Sequence, residues 1–254
     1  EAETNDSFQL TDWGAKDAVP FDLASLTPTQ VDRITRKVQV LTGQWQLSLE
    51  KKLYDATAAG ITGADPASGS WADDSSDPIK DLKATRQGLL MPANFVLFDR
   101  PVWDRLQYHP KVLAVRSTFR PGSISKADMA DILEVKDIFV SDVKVNTANP
   151  KKAASYSYLW NNTVLMGYRS PEQELVEQDA SWAALFKLEN FGELDGAQRT
   201  TSQVYSAQDR GTLVRLWEDP NRGVAGAAMV ALSCAYQIKV TGSDLAKRIT
   251  NALA

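Results

Sequence analysis

From residue 31 onward, apolar side chains return every three or four positions: Val31, Ile34, Val38, Leu41, Trp45, Leu49 and Leu53. That spacing marks one face of an α-helix. Thr27 as N-cap, Pro28 at the first helical position and Gln30 three residues after the cap form a start signal, and Gly60 supplies a stop. The pattern predicts a single helix of roughly 30 residues, about 45 Å long at 1.5 Å per residue. Such a helix exceeds what a globular domain ordinarily uses, and Gly43 is a point where it can bend. Residues 1–26 are weakly patterned, with Trp13-Gly14 and Val19-Pro20-Phe21 as punctuation.

Beyond the helix, ITGADPASGSWADDSSDP (61–78) reads as a Gly/Ser/Asp/Pro loop, and Asp77-Pro78 starts a second helix running to about Gly88. NFVLF (94–98) is a short apolar strand, and Pro101 to Val115 is predicted as an amphipathic helix with Val102, Leu106 and Val112 on one side. SKADMADIL (125–133) is a helix capped by Ser125, and IFVSDVKVN (138–146) alternates like a half-buried strand. YSYLW and TVLMGYR, separated by Asn161-Asn162, predict a hairpin. Strands follow near 184–189 and 212–218, then the turn signal Asp219-Pro220-Asn221-Arg222-Gly223 and a long strand to Val240. Ser243-Asp244 caps a final short helix. Helices and strands mix without strict βαβ alternation, so the fold class is α+β.

Composition narrows the function classes. With 43 % apolar and 24 % charged residues the chain has the profile of a folded protein with a sizeable core. A net charge of −4 gives no global basic footprint for nucleic acid. One cysteine, Cys234, and one histidine, His109, exclude an internal disulfide and a Cys/His zinc site. The longest mostly apolar run, Val224 to Tyr236, falls short of the ~20 residues a spanning helix needs.

No catalytic constellation emerges. His109, before Pro110, is expected at a helix end, where the dipole and last carbonyls suit it, with Asp104 off to one side. Ser123-Ile-Ser-Lys126 and Ser48-Leu-Glu-Lys51 match Ser-x-x-Lys but have no Lys-Thr-Gly partner. The acidic run Asp73 to Asp77 has no closing glutamate for calcium and reads as a solvated loop. Glu193 and Asp195, the pair Lys151-Lys152, and the sequons at Asn5 and Asn161 carry no specific chemistry. Neither a phosphate-cradling glycine loop nor a dinucleotide fingerprint occurs, so no cofactor and no metal are expected.

A resemblance does emerge from the order of elements. ANFVLFDRPVWDRLQYHPKV (93–112) runs an Asn-plus-apolar strand straight into a Val-Trp-x-x-Leu-x-x-His-Pro-x-Val helix. With DILEVKDIFVSDVKVNTA (131–148) and ASYSYLWNNTVLMGY (154–168), it resembles the major capsid proteins of tailed bacteriophages, the Hong Kong 97-type fold. The resemblance covers roughly residues 27–254 and is most specific over 93–168.

That resemblance implies a peripheral domain (27–93 and 181–232) holding a long spine helix and extended antiparallel strands. It also implies an axial domain (94–180 and 233–254) with a central sheet flanked by helices. Relatives usually carry an N-terminal arm and an extended loop before the spine helix, so residues 1–26 are expected to be the end of that region. Because the chain begins at glutamate, upstream residues are expected to have been processed away or left unnumbered. Intersubunit contacts are implied at the peripheral tip, Asp219, Pro220, Asn221 and Arg222, and at a loop facing the capsomer centre, Arg120, Pro121 and Gly122. No lysine–asparagine cross-link of the kind found in some relatives is predicted.

The implied function is a non-enzymatic shell subunit forming hexamers and pentamers of an icosahedral head around double-stranded DNA. Its partners are then itself, a portal, decoration or scaffold proteins and non-specifically held DNA, with no membrane. Its place is the virion, reached through the bacterial cytoplasm. Two rivals remain: the shell of an encapsulin-like nanocompartment of the same fold, and an enzyme that uses His109.

Overall fold

The computed structural model describes residues 11–21, 28–115, 122–149, 152–170, 181–187, 203–206, 212–222 and 226–254. In chain order the elements are β1 (Thr11–Pro20), α1 (Pro28–Gly60), β2 (Gly63–Ala64), α2 (Pro78–Gln87), β3 (Phe95–Asp99), α3 (Arg100–Leu106), α4 (Pro110–Val115) and α5 (Lys126–Leu133). Then come β4 (Asp137–Ser141), β5 (Lys144–Asn146), β6 (Tyr156–Tyr158), β7 (Val164–Gly167), β8 (Ala183–Lys187) and β9 (Gln203–Ser206). The chain closes with β10 (Thr212–Asp219), β11 (Ala227–Val240), a 3-10 turn (Ser243–Leu245) and β12 (Ala246–Ile249).

The long helix is present as read from its periodicity, 33 residues in α1. Its expected cap, Thr27, lies outside the described residues.

Two compact units divide the chain: residues 1–50 with 185–239, and residues 51–184 with 240–254. Trp71, Ile79 and Leu82, from the loop before α2 and from α2 itself, join the core of the second unit.

In the first unit, β1 lies antiparallel to β11 from Thr11↔Tyr236 to Pro20↔Ala227. β11 continues the sheet to β10, and β10 to β9. Leu41 and Trp45 of α1 bury against Val214, Val230, Leu232, Cys234 and Tyr236. The weakly patterned N-terminal segment is therefore a full strand, its Trp13 and Ala15 packed on the same cluster.

The second unit is built on the sheet β2-β12-β7-β3-β4, with β3 and β4 parallel and β7 antiparallel to both β3 and β12. One core gathers Trp71, Phe98, Trp103, Leu106 and Met129; another gathers Phe95, Leu159, Trp160 and Trp182. Asp77 caps α2 by accepting from the Lys80 N–H, and Ser125 caps α5 in a capping box with Asp128, both as expected.

Four local expectations are corrected here. The helix over 101–115 is two helices, because Pro110 has no N–H to continue the ladder and disfavours helical geometry at His109. The strand over 138–146 is split at Asp142-Val143, β4 staying in the main sheet while β5 pairs with β6. YSYLW and TVLMGYR do not pair as a hairpin: β6 goes to β5, and β7 sits between β3 and β12. After Ser243-Asp244 a single 3-10 turn gives way to strand β12 rather than a helix.

Gly167 ends β7 where a Cβ would meet Ala246 Cβ at 2.9 Å and the Leu245 carbonyl at 3.0 Å. Both neighbours belong to tightly placed backbone segments, so Gly167→Ala is expected to cost roughly 1–3 kcal/mol. Urea unfolding followed by circular dichroism measures it, and an unchanged midpoint contradicts the close packing.

Candidate assembly surfaces

The tip between β10 and β11 is built by sequence chemistry. The Asp219 carboxylate accepts the Asn221 N–H at 3.0 Å, and the Asp219 carbonyl accepts the Arg222 N–H at 3.5 Å. This is the local turn that aspartate favours. Pro220, Asn221 and Arg222 are exposed, and Gly226, at φ +81°, returns the chain by accepting the Phe21 N–H at 3.0 Å. Positive φ there suits glycine.

Below the tip, the Lys37 ammonium donates to Asp17 at 2.6 Å. That bond, helped by the Ala18 N–H, holds the Asp17 carboxyl below its usual range. Both side chains are about 40 % exposed, so solvent screens the pair and it contributes little to stability.

Of the second predicted contact loop, Arg120 and Pro121 lie outside the described residues. Gly122 is exposed at φ +125° with open space around its Cα. Exposed large apolar groups appear on both units: Val40 and Leu47, seven residues apart on α1, and Leu90, Tyr108, Val115 and Tyr156. β5 and β6 form a two-stranded ribbon whose Tyr156 is 69 % exposed and whose Lys144 sits 4.7 Å over the Tyr158 ring. An isolated two-stranded ribbon is only marginally stable in water.

The buried polar groups are structural in geometry. His109 is fully buried, and its Nδ1 accepts the Lys111 N–H at 3.2 Å. The other nitrogen, Nε2, therefore carries the hydrogen and donates to the Asp73 carbonyl at 3.0 Å. Ser76 lies 3.2 Å from Nε2 but donates its own hydroxyl hydrogen to the same carbonyl at 2.7 Å. A catalytic base needs a free nitrogen facing the nucleophile and an acid on the other nitrogen. Here both nitrogens are committed to backbone.

The ring caps α4, whose Leu113 N–H also bonds the His109 carbonyl, instead of sitting in the last turn of a helix. The expected interaction with a C-terminal dipole is corrected accordingly.

Two buried carboxylates went unnoticed in the sequence. Asp81 accepts from the Ser68 N–H, the Ser68 hydroxyl (2.5 Å) and the Trp71 indole (2.9 Å). Asp99 accepts from Arg100 and Asn162 N–H groups, yet burial pushes its carboxyl above the ordinary range. The signal for Asp99 was present: Asp before Arg-Pro is an N-cap pattern.

The remaining sequence candidates are dispersed. Lys51 pairs with Asp55 on α1, Lys126 opens α5 exposed, and Lys152 lies in an exposed turn. Glu193, Asp195, Lys151 and Asn5 lie outside the described residues. Asp73 and Asp74 are exposed, the latter held by Arg105 at 2.5 Å, while Ser76 of the same run is buried. Among the described residues no cluster of His, Cys, Asp or Glu could hold a metal, and no helix is long and apolar enough to cross a membrane.

A spine-length helix, a sheet of long antiparallel strands and a second unit with its own mixed sheet define a capsid-type α+β fold, the class implied by the sequence resemblance. The chain is similar to the major capsid protein of Pseudomonas phage JBD67, 22 % identical over 186 residues, which is 72 % of this chain and 53 % of that protein. It thus spans about half the length of the curated relative it matches.

Among solved structures, a phage-related protein from Bordetella bronchiseptica RB50 superposes with a TM-score of 0.76 at 19 % identity, over 96 % of this chain and 77 % of that one. The SrpI encapsulin of Synechococcus elongatus PCC 7942 gives 0.56 at 12 % identity over 96 % and 74 %. A protein assigned as the capsid protein of an Escherichia coli CFT073 prophage gives 0.51 at 14 % over 95 % and 77 %. These structural likenesses are likenesses of fold. No protein-family model matches the chain.

Proposed function

We propose that this chain is the shell-building part of a tailed-phage major capsid protein, which self-assembles into the icosahedral head around double-stranded DNA. The observation that carries the reading is the match to a phage major capsid protein over 186 residues. A fold shared over nearly the whole chain with a prophage protein assigned as a capsid protein agrees with it.

In this reading the unit of 1–50 and 185–239 is peripheral and the unit of 51–184 and 240–254 is axial. The tip Asp219–Arg222 and the Arg120–Gly122 loop meet neighbouring subunits. Hexamers and pentamers repeat such modest contacts many times, and closed symmetry makes the sum large. The subunit catalyses nothing. A portal, decoration or scaffold proteins and DNA held without sequence preference are its partners, in the virion and, during assembly, in the host cytoplasm.

A second reading, the shell of an encapsulin-like nanocompartment, draws on the fold shared with SrpI. Contents separate the two: a genome with terminase and portal functions nearby, or an enclosed enzyme. Size-exclusion chromatography with light scattering tests the common core of both. Capsomer-sized oligomers or shells are expected, and a strict monomer at all concentrations counts against either.

A further inference from the structure

Between α2 and α4 of the second unit lies an open groove of about 590 Å³. Lys80 and Lys83 line it from α2, and Lys111 from the start of α4. Ala84, Ala114 and Val115 supply its apolar part, with Val115 52 % exposed. The three lysines are exposed and form no ion pair with another described residue. Of the carboxylates at hand, Asp77 has one oxygen on the Lys80 N–H, and Glu134, which feels Lys83, is held by Arg86 at 2.6 Å. The groove is thus a local surplus of positive charge on a chain whose net charge is −4.

Its chemistry selects a partner. Lysines present compact charges on aliphatic stems that can cover apolar surface. Three of them around alanine and valine suit carboxylates interleaved with apolar side chains. A duplex backbone offers no apolar group to bury against Val115, and Asp77 repels phosphate. The chain carries a segment of the complementary kind: PEQELVEQDA, 171–180, sets Glu172, Glu174, Glu177 and Asp179 around Leu175 and Val176 with no lysine or arginine.

We propose that the α2/α4 groove is an intersubunit dock that receives residues 171–180 of a second copy of this chain. This rests on the shell reading, to which it adds a specific contact. Charge pairing of this kind steers encounter and sets register more than it adds affinity, and salt weakens it.

The probe is a fluorescein-labelled peptide of sequence PEQELVEQDA, titrated with the expressed chain and read by anisotropy. Binding is expected to weaken at least about tenfold in the double variant Lys83→Glu/Lys111→Glu, in high salt, and when the peptide's acids are replaced by Gln or Asn. Far-UV circular dichroism confirms that these exposed substitutions leave the fold intact. Chains carrying Lys83→Cys, mixed with chains carrying Glu174→Cys under mild oxidation, are expected to cross-link between copies, since the native Cys234 is buried.

No peptide binding, or binding indifferent to the charge reversal, overturns the proposal. So does tighter binding of a labelled duplex DNA that the same reversal abolishes, because the groove is then a nucleic-acid site. Normal assembly of the double variant removes the dock and leaves the shell reading intact. A wild-type chain that never assembles yet binds the peptide counts against the shell reading instead.

Discussion

Trp71→Ala is expected to destabilise the second unit by about 4 kcal/mol or more, the largest loss from any single truncation proposed for this chain. The indole is fully buried among Ile79, Leu82 and Trp103, so its removal leaves a cavity that a sheet-and-helix core cannot close. One further cost follows. The indole N–H is one of three donors that satisfy the buried Asp81 carboxylate, at 2.9 Å. The Trp71 backbone bonds, N–H to the Ala252 carbonyl at 2.7 Å and carbonyl from Arg105 Nε at 3.0 Å, are available to alanine as well, so the loss is one of the side chain alone.

Trp71→Phe keeps most of the ring and loses only the donor, so it should cost about 1–2 kcal/mol. Urea titrations of the two variants separate packing from hydrogen bonding. Equal losses for Phe and Ala would show that the Asp81 bond, and not the cavity, dominates.

His109→Ala is expected to cost about 2–4 kcal/mol, because it empties a fully buried ring site and strands the Lys111 N–H. The Lys111 N–H loses its acceptor and the Asp73 carbonyl loses the Nε2–H donor, although Ser76 still reaches that carbonyl. Asparagine is a good N-cap with a shorter reach. His109→Asn should therefore restore part of the loss through Lys111 while leaving the Asp73 side open. Thermal unfolding of the three proteins reads the order directly: wild type above Asn above Ala. An alanine variant as stable as wild type contradicts the structural role of the ring.

Much of this fold was legible wherever the determining interactions are local. The α1 helix follows from side chains at three- and four-residue spacing. The caps at Asp77 and Ser125 follow from hydrogen bonds that reach only three residues along the chain. What escaped is what distant partners decide.

β1 carries little pattern of its own and becomes a ten-residue strand because β11 lies beside it. β2 and β12 are two and four residues long and exist through their pairing. Asn161 and Asn162, at φ +45° and +57°, adopt the left-handed geometry that a tight hairpin prefers. The segment nevertheless turns away, because the Asp99 carboxylate takes the Asn162 N–H and the Asp99 N–H bonds the Thr163 carbonyl. That docks β7 against β3 and leaves β6 for β5.

The candidate surfaces divide in the same way. The tip at Asp219–Arg222 is written in its own turn chemistry. The lysine groove joins α2 to α4, more than twenty residues apart, and no local motif announces it.

Cryo-electron microscopy of the expressed chain is the direct test of the central claim, that this is a shell-forming subunit. Closed particles with fivefold and sixfold capsomers, into which both units fit as described, are the predicted result. A field of dispersed monomers, under conditions where circular dichroism shows the chain folded, contradicts it.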